Sequence, residues 1–306
     1  MNFKHIWPLV ATAVLTILSG CGGGGNSSAI AVSGGSLQVG VIWPEPSRLI
    51  PIASNSIKIE VYDGANLVAT DLIPKPLTLA TFSNVPTGNL TVVATAYPNV
   101  DGTGVAQATG TAGALITVGN VTTVSLTMGS TITHIDMTPT SLNLTGGQTS
   151  SVVATPKDAS NNVVLVSPLN LTYLSSNPLV ATVGLLDGSV LALLEGTTTI
   201  TATELESGVS GTATVNVAVG VSITPTTSTV GILGTRLFVA TVQGSVNQLV
   251  TWSVVEGGGG SVLAGLYTAP LTAGTYHVKA TSVADPTKSA TATVTVTSGG
   301  LLVNVN

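Results

Sequence analysis

The 306-residue chain has 7 % charged residues and a net charge of −5, where an average globular protein is roughly 25 % charged. With no block of like charge, this balance argues against a nucleic-acid partner and against an anionic lipid surface. The one cysteine, Cys21, excludes an intrachain disulfide, and beyond the first twenty residues no apolar run approaches the roughly 18 residues of a membrane-spanning helix.

The N-terminus sets the compartment. Lys4 supplies a positive start, and Ile6 to Leu18 is an apolar stretch interrupted by Pro8 and two threonines. It is too short to cross a bilayer comfortably and has the length of a signal-peptide core. Leu18-Ser19-Gly20-Cys21 follows. These four residues resemble the lipobox of bacterial lipoproteins. The resemblance implies a signal peptide over residues 1–20, removed in the mature chain, and acylation of Cys21, so that the membrane is a partner through N-terminal lipid. Gly22 stands where an aspartate often retains lipoproteins at the inner membrane, which favours the outer membrane in a two-membrane source. Residues 21–35, rich in glycine and serine, read as a flexible tether.

Three β domains are expected after it. In the first, 36–130, Leu37, Val39, Val41 and Trp43 alternate with other residues, as Ile57, Ile59 and Val61 do with Lys58, Glu60 and Tyr62. A period of two means strands with one buried face. Asp63-Gly64 marks a turn, and a strand burying Leu90, Val92, Ala94 and Ala96 follows the Pro86/Gly88 corner. The unit resembles the small transthyretin- or carboxypeptidase-regulatory-like sandwiches of bacterial surface proteins. Asp101-Gly102-Thr103-Gly104 has no second carboxylate for calcium and reads as a solvated hairpin.

The second domain, 134–219, is built of short, evenly punctuated strands. Thr172 to Leu174 runs into the turn Ser175 to Pro178. Val180 to Val183, the turn Asp187-Gly188, Val190 to Leu194 and the alternating Thr198 to Thr203 come next. Strands this short need an opposing sheet. "SSNPLVATV", "DGSV", "GTTTITAT" and "SGTATVNV" resemble the bacterial immunoglobulin-like group 2 domain of intimin- and invasin-type adhesins, with Thr138 to Thr149 as an opening strand pair. The resemblance implies a binding or spacer module without catalytic residues. Tyr173 stands where the family usually has tryptophan, which leaves a hydroxyl needing a partner.

The third domain, 220–297, repeats the second. Tyr173 and Trp252, Thr203 and Thr281, and Val217 and Val296 recur at nearly one spacing, the mark of tandem duplication. Trp252 is expected between the sheets. Residues 298–306 form a tail with apolar Leu302, Val303 and Val305. The closing strands "TATVNV" and "TATVTV" carry no charge, so they either offer edges for strand addition or lie inside their sheets.

No catalytic, cofactor or metal motif occurs. His134 and His277 read as structural or solvated, and Glu204 and Glu206 flank a hairpin tip without forming a recognisable acid–base pair. The sequence therefore reads as an all-β, lipid-anchored array of three tandem β-sandwich (Ig-like and transthyretin-like) domains after a lipoprotein signal peptide. It is read as no enzyme, acting in adhesion or in binding a protein or glycan ligand, with self-association through edge strands as a further route. The competing readings are a passive spacer of the cell envelope and, behind it, a carbohydrate-active enzyme.

Overall fold

A computed structural model of the protein describes residues 34–41 and 52–298. The expected signal peptide and lipobox with Cys21, most of the expected tether, Trp43 and the tail from residue 299 lie outside them. Among the described residues the chain is almost entirely β, and its buried side chains fall into three clusters, Leu37 to Met128, Ile135 to Val217 and Ile223 to Val296.

The first cluster lies between strands β1 (Gly34–Gly40), β2 (Ser56–Asp63), β3 (Asn66–Pro74), β4 (Leu79–Pro86), β5 (Gly88–Tyr97), β6 (Ala108–Ile116), β7 (Val121–Ser125) and β8 (Gly129–Ser130). They form one sheet of order β3-β2-β5-β6-β8 and another of order β4-β1-β7. Alternation decides the faces: Ile57, Ile59 and Val61 are buried, while Lys58, Glu60 and Tyr62 look out. Strand β1 begins two residues inside the expected tether. Gly34 and Gly35 are buried strand residues, and a Cβ on Gly35 would come within 2.5 Å of the Ile116 side chain. These two glycines serve close packing rather than flexibility.

The second sandwich comprises β9 (His134–Thr138), β10 (Ser141–Thr145), β11 (Thr149–Ser151), β12 (Val153–Lys157), β13 (Leu171–Ser175), β14 (Ala181–Val183), β15 (Ser189–Ala192), β16 (Gly196–Glu204) and β17 (Ser210–Ala218). The segment expected as an opening strand pair is split between sheets. β9 pairs with β12, the chain crosses over at Pro139, and β10 joins β17 in parallel. The main sheet runs β10-β17-β16-β13 and a smaller one β11-β15-β14.

The third sandwich comprises β18 (Gly220–Thr224), β19 (Thr227–Gly231), β20 (Thr235–Leu237), β21 (Val239–Gln243), β22 (Val250–Val254), β23 (Ser261–Leu263), β24 (Leu266–Thr268), β25 (Gly274–Ser282) and β26 (Ser289–Thr297). It repeats the plan strand for strand: β18 with β21, β20-β24-β23, and β19-β26-β25-β22. The closing strands are β17 and β26, and both lie inside their sheets. The second strand of each repeat, β10 or β19, pairs beside them in parallel and covers the side that would otherwise be open. The edges of the main sheets are therefore β10, β13, β19 and β22, and none of the four carries a charge.

The junctions are short. Buried Val219 alone separates β17 from β18. Gly146 lies so close to Gly244 that a Cβ on it would come within 2.1 Å of the Gly244 nitrogen, and Glu195 N–H donates to the Gly244 oxygen at 2.7 Å. Between the first and second sandwiches, fully buried Gln107 accepts from the Ser54 hydroxyl at 2.6 Å and donates to the Leu165 carbonyl at 2.8 Å.

Candidate interaction surfaces

Tyr173 and Trp252 hold the same place in the two repeats, opposite Ala202 and Ala280 on the neighbouring strand. Their burial differs. Tyr173 is buried, and its hydroxyl finds the partner it needs in Ala154 N–H, accepted at 3.1 Å. Trp252 is only half-buried, contrary to the expected central place. Its neighbours explain the shift. Val152 and Val190 line the second core where the third has Phe238 and Tyr267, both fully buried. Two large rings fill the space between the sheets and leave the tryptophan at its rim. The Tyr267 hydroxyl donates to the Gly259 carbonyl at 2.7 Å. Tyr173 and Trp252 each lie over a glycine, Gly188 at φ 65° and Gly265 at φ 86°, where a Cβ would collide with the Val152 or the Phe238 carbonyl.

The loop holding that glycine decides the state of the neighbouring edge. In the second sandwich five residues, Gly184 to Gly188, join β14 to β15. They reach back to β13, and the Leu185 carbonyl accepts the outward Tyr173 N–H at 2.8 Å. In the third sandwich only Ala264 and Gly265, both at positive φ, join β23 to β24, a two-residue hairpin turn. The Gly265 carbonyl is taken by Phe238 N–H, and neither turn carbonyl accepts from Trp252.

The same hairpin carries an apolar row. Leu237, Leu266 and Leu263 are direct cross-strand neighbours on β20, β24 and β23, and they are 56 %, 47 % and 83 % exposed. Neighbouring strands bring such side chains into contact. The corresponding positions of the second sandwich are Ser151, Ser189 and Gly184.

The acidic and imidazole groups are engaged locally. Glu204 is fully buried and accepts Ser207 N–H and the Ser207 hydroxyl, each at 2.7 Å, which ties down its own turn. Glu206 accepts from Asn170 Nδ2 at 2.8 Å and from Ile52 N–H at 3.4 Å. Burial, with the Glu204 charge nearby, pushes its carboxyl above the usual range. His277 looks out of β25 as expected. It also binds Glu256 twice, Nδ1 to Oε1 at 2.5 Å and N–H to Oε2 at 2.7 Å, a pair that the sequence did not disclose. Half-buried His134 meets the Thr133 hydroxyl at 3.1 Å. Asp101 is exposed and folds back on Thr103, accepting from its hydroxyl at 2.6 Å. Among the described residues no group of three His, Cys, Asp or Glu could hold a metal.

Residues 131–217 match the family described as bacterial Ig-like domain (group 2). No curated protein sequence matches the chain. Among solved structures it is similar to domains 1–6 of the surface layer protein SbsC, at 15 % identity and a TM-score of 0.25, covering 90 % of this chain and 54 % of that one. SbsC domains 5–6 align at 17 % identity and a TM-score of 0.25, covering 55 % of this chain and 98 % of that one. Mouse cadherin-23 EC22–24 aligns at 14 % identity and a TM-score of 0.23, covering 87 % and 99 %. The chain thus spans about half the length of the SbsC fragment that it matches over most of its own length.

Proposed function

We propose that this chain is a lipid-anchored cell-surface protein, tethered through Cys21 (to the outer membrane where its source has two membranes), whose third sandwich binds a protein partner. The first two sandwiches, at 36–130 and 134–219, hold it away from the membrane. The row Leu237–Leu266–Leu263 carries this reading. An exposed apolar patch marks an interaction surface, whereas a passive spacer needs none. The second repeat has two serines and a glycine at the corresponding place, so the leucines are not a requirement of the fold. A row of branched aliphatic side chains, without an exposed aromatic face among them, suits a protein surface better than a glycan. The spacer reading applies to the first two units, on the observation that buried Val219 and the Gly146–Gly244 contact leave little slack after the second.

The test uses cells displaying the chain and a panel of purified matrix proteins, glycans and cell-wall fractions. Cys21→Ser should abolish acylation and leave the chain unprocessed, because serine does not accept the lipid. The triple variant Leu237→Ser/Leu263→Ser/Leu266→Ser should stay displayed, keep its melting temperature and bind about tenfold or more weakly, the size expected when a central apolar cluster is lost. Unchanged capture by the triple variant would refute the leucine row as the binding surface. A Cys21→Ser chain that matured and stayed in the membrane like the wild type would refute the anchor.

A further inference from the structure

Strand β22 is the outer strand of its sheet, and its hydrogen-bonding phase can be read from its two ends. Val283 N–H donates to the Leu249 carbonyl and Val255 N–H to the His277 carbonyl, both at 2.9 Å. Bonded pairs alternate along an antiparallel ladder, so Leu249, Thr251, Ser253 and Val255 spend their main-chain groups on β25. Those of Val250, Trp252 and Val254 point out of the sheet. The equivalent outward group of the second repeat, Tyr173 N–H, is capped by Leu185. The two-residue turn of the third repeat provides no such cap.

The residues along this edge are palindromic in character about Trp252. Read in one direction they are Leu249, Val250, Thr251, Trp252, Ser253, Val254 and Val255, and the reverse order has the same chemistry at every position. An antiparallel strand of the same sequence, related by a two-fold axis at Trp252, would place Leu249 opposite Val255, Val250 opposite Val254 and Thr251 opposite Ser253. Each pair joins like with like: two exposed aliphatics, two valines, two hydroxyls. No charge lies on the strand to be set against its copy. The outward groups of Val250, Trp252 and Val254 would then exchange main-chain bonds with Val254, Trp252 and Val250 of the second copy.

We infer that β22 is a self-association edge, along which two copies of this chain join their third sandwiches into one continuous sheet. A two-fold strand pairing needs a self-complementary patch, and this edge is one. The edge of the second repeat is not: Asn170 and Ser176 flank β13, exposed Leu174 faces no matching residue across Tyr173, and the cap stands in the way.

Charge exchange in the full chain tests the pairing. Thr251 and Ser253 are exposed on the solvent face, so both tolerate charge. Lys279 stands beside Ser253 on β25, which makes glutamate the gentler substitution for the fold. Light scattering at about 100 µM, where a micromolar dimer is filled, should show a dimer for the wild type. Thr251→Glu/Ser253→Glu should be mainly monomeric at that concentration, with a dissociation constant raised roughly a thousandfold by two pairs of like charges set directly opposite. Thr251→Lys/Ser253→Lys should likewise be monomeric, and an equimolar mixture of the two variants should restore the dimer. Restoration by mixing cannot come from misfolded chains. A monomeric wild type, a glutamate variant that still dimerises, or two folded variants that fail to associate when mixed would each overturn the proposal. The leucine triple variant should dimerise normally, which separates this edge from the binding surface.

Discussion

The second and third sandwiches share every strand pairing, yet one closes the edge of its main sheet and the other leaves it open. Two local choices account for this. A five-residue loop in the second brings the Leu185 carbonyl onto Tyr173 N–H, and a two-residue turn in the third does not reach. Valines at 152 and 190 let Tyr173 sink, whereas Phe238 and Tyr267 hold Trp252 at the rim. A duplicated framework can thus diverge in function without altering its topology, because loop length and two core volumes act at the border rather than on the ladder.

The comparison breaks most visibly at the third core. Tyr267→Ala should cost the third sandwich about 3–5 kcal/mol, as for other fully buried aromatics, and calorimetry should show its transition falling while the second keeps its own. A single transition moving as one would mean that the two cores are coupled. The next effect is on the second. Tyr173→Phe leaves buried Ala154 N–H without its partner and should cost about 1–2 kcal/mol. The matching change in the third, Trp252→Phe, removes no hydrogen bond to another side chain or turn and should cost less. The smallest effect depends on pH. The His277 contacts hold the Glu256 carboxyl below its ordinary value of 4.5, so this pair stabilises the folded chain above that pH and the contribution is lost as pH falls through the lower folded value. Glu256→Gln should lower the melting temperature of the third sandwich slightly at neutral pH, with the difference from wild type closing as pH falls below about 4.5 and the second sandwich unchanged. A difference that persisted well below that pH would point to lost packing instead.

Much of this was legible in the sequence. Period-two alternation placed Ile57, Ile59 and Val61 on an inner face because a strand has no other way to bury them. Asp187-Gly188 announced its turn because the bend needs a residue at positive φ, and matching landmarks disclosed the duplication. What escaped depends on distance or on volume. Glu256 and His277 are far apart in sequence and meet only because β22 and β25 are neighbours. Trp252 looked central because its strand pattern matches that of Tyr173, and only the facing pair, Phe238 and Tyr267, shows that the space is taken. The charge-free closing strands left two outcomes open, and the parallel partners β10 and β19 decided between them. Gly34 and Gly35 resembled the glycines before them in composition alone, since a tether and a tight packing contact use the same residue.

Those parallel partners have a mechanical consequence. The second strand and the last strand of each repeat run side by side in the same direction, β10 with β17 and β19 with β26, each through five matched positions. Tension along the chain would draw β10 and β17 in opposite directions along their common axis. The bonds between them are then loaded together in shear, whereas strands peeled apart from one end yield bond by bond. A repeat wired this way resists stretching far better than an equally stable one whose strands unzip, and since tension is the same all along a chain, the two repeats would bear it together.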